Sequence, residues 1–216
     1  MKTFTYKAVI FDFDDTLVES RELKWAHHKH VAKKFYGMDL TDADIKSHWG
    51  KPLNTLIGEL YRNADSVENI TNAILSVKDD FQKDMYEKTP DVIKALLDNN
   101  VQVGIVSATT KDFLMQDMHR LELPFESFFL IQGSDEVSAH KPDPKVFDSA
   151  LELLSLKGIT KDDILYVGDS LDDFTAASGA RIHFIALTTG LYSKEQFTRA
   201  GAKLVLGNIS ELLTII

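Results

Sequence analysis

Apolar residues along this chain occur either in short unbroken runs or at helical spacing. The run at residues 8–11 is β-branched and aromatic, which is typical of a strand buried on both faces. Further strands are predicted at residues 101–107, 128–131, 164–167 and 182–187, with a last strand and helix after residue 202. Helices are predicted between them, near residues 89–99, 111–121, 144–156 and 172–178. This alternation predicts a mainly parallel sheet with right-handed crossovers.

Residues 18–87 interrupt the alternation, because they show helical periodicity and no convincing strand. Helices are predicted at residues 19–36, from Thr41 onward, through Leu53–Leu60 and at about 67–87. We therefore predict an α/β fold with a Rossmann-like core formed by residues 1–17 and 88–216. Residues 18–87 would form an inserted all-helical cap domain.

Composition limits the classes of function. No apolar run is long enough to span a bilayer and the first residues lack a signal-peptide pattern, so we expect a cytoplasmic protein. The absence of cysteine excludes disulfides and thiolate metal sites. Acidic residues outnumber basic ones by 33 to 24, and the net charge of −9 argues against binding to nucleic acid or a membrane surface.

Polar side chains follow three of the predicted strands where each strand ends. Asp12 and Asp14 follow the first strand, Ser107 ends the second, and Asp169 follows a later one. The carboxyl ends of parallel strands share one edge of the sheet, where ligands bind in open α/β folds. Paired carboxylates at a buried edge usually hold a hard cation. Taken singly, each residue also fits an ordinary polar turn.

The segment Lys141-Pro142-Asp143-Pro144 adds a cation to this set. Asp143 is predicted to cap a helix that begins at Pro144, which would place Lys141 at the mouth of that helix. A carboxylate pair, a hydroxyl, a lysine and a third carboxylate suit phosphoryl transfer. In that chemistry a carboxylate attacks phosphorus, Mg²⁺ offsets charge repulsion, and hydrogen-bond donors hold the phosphoryl oxygens.

In order and spacing, these residues resemble the motifs of haloacid dehalogenase superfamily hydrolases with a helical cap after the first strand. The similarity covers essentially the whole chain and is greatest to the phosphoglycolate phosphatase and β-phosphoglucomutase-like branch. The motifs are Asp12-Phe13-Asp14-Asp15-Thr16, Ser107, Lys141-Pro142-Asp143-Pro144 and Gly168-Asp169-Ser170-Leu171-Asp172-Asp173.

The resemblance implies a role for each matching residue. Asp12 would be the nucleophile that becomes an aspartyl phosphate, and Asp14 would protonate the leaving oxygen and then activate water. The phosphoryl group would be held by Ser107, Ala108 and Lys141.

The resemblance also implies Mg²⁺ as the cofactor. Its ligands would be Asp12, the backbone carbonyl of Asp14, and Asp169. Asp173 would support the metal shell or Lys141, whereas Asp172 more simply occupies the surface.

Two positions depart from the usual pattern of the family. Asp15 stands where glycine is most frequent, and Ala108 stands where asparagine is frequent. Loss of that amide is expected to alter a phosphate or loop contact without removing the chemistry.

Substrate choice, by the same resemblance, would lie in the cap around residues 49–52. Lys51 could neutralise a substrate anion and Trp49 could cover a ring, with Gly50 between them; a plain turn with an exposed lysine fits equally well. His27, His28 and His30 suggest a zinc site only weakly, because only the first and last share a helix face. His27 or His28 facing the cleft stays open.

The sequence therefore predicts a Mg²⁺-dependent phosphatase acting on a small phosphomonoester. A phosphomutase with the same residues is the alternative enzyme, since the difference lies in water exclusion. A dehalogenase would leave Asp14 and Asp169 without a purpose. A receiver-like signalling module would be about half this length, and a non-catalytic phospho-ligand-binding relative would not need every catalytic residue type.

Overall fold

The computed structural model describes residues 5–49, 51 and 53–215. Its regular elements are short strands and helices, joined by 3-10 turns and loops. In chain order the strands are β1 (Ala8–Phe11), β2 (Val18–Glu19), β3 (Asp84–Met85), β4 (Gln102–Val106), β5 (Leu130–Gln132), β6 (Ile164–Gly168), β7 (His183–Leu187) and β8 (Val205–Leu206). The helices are α1 (Arg21–Tyr36), α2 (Asp42–His48), α3 (Leu53–Leu60), α4 (Val67–Ser76), α5 (Thr89–Asp98), α6 (Lys111–Arg120), α7 (Asp148–Ser155), α8 (Leu171–Ala180) and α9 (Lys194–Ala200).

The chain forms two compact units, Met1–Glu19 with Asp84–Ile216 and Ser20–Lys83. The first unit contains a six-stranded sheet in the order β5-β4-β1-β6-β7-β8, and each neighbouring pair is parallel. The prediction of an α/β fold with a mainly parallel sheet is therefore confirmed.

Alternate residues of the central strands supply two hydrophobic cores, one on each face of the sheet. Val9 and Phe11 belong to the core shared with α5 and α6. Ile10 and Tyr166 belong to the core shared with α7 and α8. Because both faces are covered, these strands read as unbroken apolar runs in the sequence.

β1 lies at the point where the strand order reverses. The chain passes from β4 outward to β5 on one side of β1, then returns to β6 on the other side and continues outward to β7 and β8. In such sheets the loops after the strands on either side of this point separate and leave a crevice for ligands. The first strand and the motif that follows it are therefore central to the sheet.

The second unit contains α1 to α4. Gly37 follows the last residue of α1, and its φ of 64° is favourable for glycine. Thr41 and Asp44 form a capping box at the start of α2. Ser66 caps α4 by accepting a hydrogen bond from the Asn69 N–H. None of the helices in the described ranges is long and apolar enough to cross a bilayer.

Residues 18–87 are not free of strands, contrary to the prediction. β2 and β3 pair antiparallel, Val18 with Met85 and Glu19 with Asp84. A two-residue ladder is too short to show alternation in the sequence. The helix predicted to reach residue 87 ends at Ser76, before a 3-10 turn at Lys78–Asp80 whose acidic residues are unfavourable at a helix C-terminus.

Thr89 is the first residue of α5, and its hydroxyl donates to the Leu17 carbonyl at 2.8 Å. Two further details of the core unit differ from the prediction. α9 was not predicted, although its Ser193 and Gln196 form a capping box that the sequence contains. The last helix is a 3-10 segment at Ile209–Thr214.

Candidate active site

The carboxyl ends of β1, β4 and β6 bring together side chains that are far apart in sequence. β1 pairs in register with both neighbours, so Phe11 lies opposite Ile105 and Val167. Asp12, Ser107 and Asp169 follow these strands and are all buried. The Asp12 N–H donates to the Val167 carbonyl at 2.9 Å, which extends the β1–β6 pairing to the nucleophile candidate.

Lys141 lies among buried carboxylates. Its Nζ is 2.9 Å from Asp12 Oδ1 and 2.7 Å from Asp173 Oδ1, and its side chain is 9% exposed. Asp143 accepts a hydrogen bond from the Lys145 N–H and so starts the 3-10 turn Pro144–Phe147, as the sequence indicated. Burial alone would lower the pKa of Lys141, but the two carboxylates raise it well above its ordinary value. The side chain is therefore an ammonium at neutral pH.

Asp173 is held on both carboxylate oxygens. Oδ2 accepts from the N–H and hydroxyl of Ser170 at 3.0 and 2.6 Å, which forms the capping box of α8. Oδ1 accepts from the Tyr166 hydroxyl at 2.8 Å and from Lys141. Burial would raise the pKa of Asp173, but Lys141 and these hydrogen bonds outweigh it and lower the pKa. Asp173 is thus an ionised partner of the lysine.

Gly168 makes room for this arrangement at the end of β6. A Cβ built at Gly168 would lie 2.6 Å from Asp173 Cγ, closer than unbonded carbon atoms approach. Glycine at this position therefore lets the first turn of α8 fold back against the strand end.

Carboxylate oxygens of Asp12, Asp169 and Asp173 lie within 4.8 Å of one another. Burial is the main cause that raises the pKa of Asp12 to about 7, and it raises the pKa of Asp169 well above the ordinary value. The neighbouring carboxylates add to both shifts, which shows that this edge carries excess negative charge.

These carboxylate oxygens suit a hard divalent cation, which would offset the negative charge at this edge of the sheet. Asp173 already accepts four hydrogen bonds or ion pairs, so Asp12 and Asp169 are the side chains better able to bind a metal. Thr16 orients Asp169 through a hydrogen bond of 3.3 Å, and Gly190 approaches it so closely that a Cβ would lie 1.9 Å from its Oδ2. The structure thus crowds Asp169 into one orientation.

Asp14 is half-buried and bound from the loop after β4. The Thr109 hydroxyl donates to Asp14 Oδ2 at 2.6 Å, and the Thr109 N–H donates to Ser107 Oγ at 3.1 Å. One residue therefore connects the phosphate-binding candidate to the acid–base candidate. Ala108, between them in sequence, is exposed.

The turn after β1 explains why Asp15 stands where glycine is frequent. Asp15 has a φ of 55°, in the left-handed region that favours glycine but that aspartate also adopts. Its N–H donates to the Val18 carbonyl at 2.8 Å, and the Leu17 N–H donates to the Phe13 carbonyl at 2.9 Å. Thr189 also donates a hydrogen bond to the Asp15 carbonyl. Aspartate at position 15 therefore preserves the turn that glycine would form.

The specificity candidates of the second unit have partners within that unit. Lys51 forms an ion pair with Glu59, and the half-buried ring of Trp49 packs edge-on against Trp25 with 5.9 Å between ring centroids. Gly50 lies outside the described residues, as does Pro52.

The three helical histidines also pack inside the second unit. His27 stacks on Phe81 with ring centroids 4.5 Å apart, and the His30 ring tilts against the same phenyl ring at 5.5 Å. His28 Nδ1 lies 3.1 Å from the Tyr61 hydroxyl. Mainly through burial, the pKa of His28 falls to about 4, so its ring is neutral at neutral pH.

Sequence reasoning missed two residues of this site. Tyr166 points to the same face of the sheet as Ile10, and its hydroxyl lies 3.1 Å from Lys141 Nζ. Tyr166 stands two residues before Gly168, so the period of two along a strand places it on the same face of the sheet as Gly168, the face that the segment after Lys141 covers. This spacing is the signal by which the sequence could have indicated Tyr166. Thr109 gave no comparable signal, because its contact depends on the path of a loop.

The family is identified by a sequence match over most of the chain. A model of the haloacid dehalogenase-like hydrolase family matches residues 9–187. The chain therefore belongs to this family of enzymes, and the resemblance read from its four motifs is confirmed.

Individual relatives cover almost the whole chain. Pyrophosphatase PpaX from Listeria monocytogenes is 27% identical over 212 residues, which is 96% of this chain and 95% of that protein. A solved structure described as a proposed beta-phosphoglucomutase from Thermotoga maritima has a TM-score of 0.82 at 22% identity, covering 97% of each chain. Another, described as a predicted phosphoglycolate phosphatase from Haemophilus somnus, has a TM-score of 0.82 at 17% identity and covers 99% of each chain.

Proposed function

We propose that this protein is a Mg²⁺-dependent phosphatase that hydrolyses a small phosphomonoester through an aspartyl phosphate on Asp12. The observation that carries the proposal is the ion pair of Lys141 with Asp12 and Asp173, beside Asp169, at the carboxyl edge of the sheet. A carboxylate nucleophile that is paired with an ammonium and lies beside further carboxylates able to bind a metal suits attack on phosphorus.

Asp12 and Asp169 would hold the Mg²⁺ through their side chains, with the backbone carbonyl of Asp14 as the third ligand by family resemblance. The bound ion supplies positive charge that offsets the repulsion between a carboxylate nucleophile and an anionic phosphoryl group.

In the first step an oxygen of Asp12 attacks phosphorus and the ester P–O bond breaks. Asp14 gives its proton to the leaving oxygen, so the alcohol departs neutral. Ser107 and Lys141, together with the backbone at Ala108, hold the phosphoryl oxygens during the transfer.

In the second step water attacks the aspartyl phosphate. Asp14, now a carboxylate, takes a proton from this water, and the bond between phosphorus and the Asp12 oxygen breaks. Inorganic phosphate leaves, and both aspartates return to their starting protonation. The Thr109 hydrogen bond supports this role, because it directs one oxygen of Asp14.

The unit Ser20–Lys83 would be the cap that selects the substrate, with the segment Trp49–Lys51 as the candidate recognition loop. The Lys51–Glu59 ion pair means that a substrate anion would have to compete with Glu59 for this ammonium. Trp49 is the better candidate contact, since its half-buried ring offers an apolar surface.

A phosphomutase remains the alternative, supported by the fold shared with the Thermotoga maritima structure. It would return the phosphoryl group from Asp12 to a second substrate hydroxyl. The relatives named as pyrophosphatases make pyrophosphate a substrate to include in any test.

The test is phosphate release from a panel of sugar phosphates, phosphoglycolate, pyrophosphate and p-nitrophenyl phosphate, with and without Mg²⁺. We expect Mg²⁺-dependent release that Asp12→Asn abolishes. Interconversion of sugar phosphates without release would favour the mutase. A folded protein that is inactive in both assays would contradict a catalytic role.

A further inference from the structure

The Tyr166 hydroxyl lies beneath the catalytic edge and has polar neighbours on three sides. It is 3.1 Å from Lys141 Nζ, 2.8 Å from Asp173 Oδ1 and 3.3 Å from the Val106 carbonyl oxygen. Tyr166 is fully buried, and its register partner on β1 is Ile10, two residues before Asp12. A core position at this depth requires an apolar ring but not a hydroxyl.

The ammonium of Lys141 has three N–H donors and three close polar partners, of which two accept hydrogen bonds and one forms an ion pair. They are the Asp12 carboxylate at 2.9 Å, the Asp173 carboxylate at 2.7 Å and the Tyr166 oxygen at 3.1 Å. Tyr166 and Asp173 belong to β6 and α8 and are completely buried, so they form a fixed base for the ammonium. This base turns the third side of the ammonium toward Asp12, with which it forms an ion pair at 2.9 Å.

We propose that Tyr166 is a positioning residue, which aims the ammonium of Lys141 at the Asp12 carboxylate and at the phosphoryl group that Asp12 attacks. The inference rests on the proposed phosphatase function. Tyr166 donates its own proton to Asp173 Oδ1, the shorter and anionic contact, and accepts from Lys141. As a neutral acceptor it binds the third N–H without adding another negative charge to an edge that already carries three carboxylates.

The packing around the ring makes Tyr166→Phe a clean perturbation. The ring packs edge-on against Phe147, with 4.7 Å between centroids, and is tilted against Phe184 at 6.1 Å. Phenylalanine keeps these contacts and removes only the oxygen. Lys141 and Asp173 then each lose one hydrogen-bonding partner, while the two ion pairs between the lysine and the carboxylates stay possible.

Thr89→Val is a matched control from the same unit. Thr89 is also fully buried, and its hydroxyl donates to the Leu17 carbonyl at 2.8 Å. The substitution deletes one buried hydroxyl outside the Lys141 group. A general cost of losing a buried hydrogen bond should therefore appear in both variants, whereas a loss of lysine positioning should appear only in Tyr166→Phe.

The kinetic test compares wild type, Tyr166→Phe and Thr89→Val with p-nitrophenyl phosphate at saturating Mg²⁺. We expect kcat of Tyr166→Phe to fall about tenfold, the effect of one hydrogen bond to a charged group, with KM within about twofold of wild type. Thr89→Val should keep both constants within about twofold. Equal kinetics for Tyr166→Phe and wild type would overturn the inference.

A second readout does not depend on turnover. The ¹H–¹⁵N correlation of the Lys141 ammonium, assigned by its disappearance in Lys141→Met, should be visible in wild type and in Thr89→Val because the group is buried and held by two hydrogen bonds and an ion pair. In Tyr166→Phe it should shift and broaden, and an unchanged signal would contradict a positioning role. Wild type without phosphatase activity would contradict the proposed function instead, so the two failures are distinguishable.

Discussion

The substitution Gly190→Ala tests the proposed metal site through a steric change of one carbon atom. A Cβ at position 190 would lie 1.9 Å from Oδ2 of Asp169 and 2.9 Å from its backbone oxygen. Ordinary contact between carbon and oxygen requires a separation of more than about 3 Å, so the carboxylate has to move by over about 1 Å. A Mg²⁺ ligand bond is only about 2.1 Å long and tolerates no such shift.

We therefore expect Gly190→Ala to weaken Mg²⁺ binding about tenfold or more. Isothermal titration of the substrate-free protein with MgCl₂ measures this directly, and the Mg²⁺ dependence of phosphate release gives a second value. Gly58→Ala is the control, since a Cβ there meets only the side-chain oxygen of Asn63 at 3.2 Å. It should leave Mg²⁺ affinity unchanged.

A folded Gly190→Ala protein with wild-type Mg²⁺ affinity would refute this reasoning, because Asp169 would then not be needed in its observed orientation. If Gly190→Ala fails to fold, as judged by its urea unfolding curve, Asp169→Asn addresses the same question. Asparagine keeps the size of the side chain and removes its charge. The same loss of affinity is expected, and unaltered binding would remove Asp169 from the metal site.

Three further substitutions test other parts of the account. Thr109→Val removes the hydrogen bond to Asp14, and we expect kcat to fall about tenfold with KM within about twofold in steady-state assays; an unchanged kcat would contradict it. Asp173→Asn breaks a fully buried ion pair with Lys141, and urea unfolding at pH 7 should show a loss of about 3 kcal/mol, against none if the pair is dispensable. Because burial lowers the folded-state pKa of His28 to about 4 from its ordinary 6.5, stability should fall as pH drops from about 6.5 to 4. In His28→Gln the urea unfolding midpoint should depend less on pH between about 6.5 and 4. An equally steep pH dependence in the variant would show that His28 is not its cause.

The sequence predicted the sheet core, and it placed the candidate site at the carboxyl edge of the sheet, for a simple physical reason. Strands buried on both faces appear as apolar runs, and the polar residue that follows each run is already at the edge of the sheet. Asp12, Ser107 and Asp169 were chosen as candidate site residues in this way. Lys141 required the additional signal of Asp143 and Pro144, which indicated where the following turn begins.

Other features depend on contacts that one-dimensional patterns do not contain. Tyr166 differs from its apolar neighbours by one oxygen, and its role emerges only when Lys141 and Asp173 meet at that oxygen. Thr109 contacts Asp14 across 95 positions of sequence, and Lys51 meets Glu59 only because α3 brings the glutamate close. Such pairings are decided by tertiary packing.

The most direct test of the central claim is to trap the phosphorylated nucleophile. The protein would be quenched during turnover of a phosphomonoester with Mg²⁺, reduced with borohydride and digested, so that an aspartyl phosphate is recovered as homoserine in the peptide that contains position 12. We predict homoserine at position 12 in wild type and none in Asp12→Asn. Turnover that leaves Asp12 unmodified, or that gives homoserine at another aspartate, would contradict the assignment of Asp12 as nucleophile.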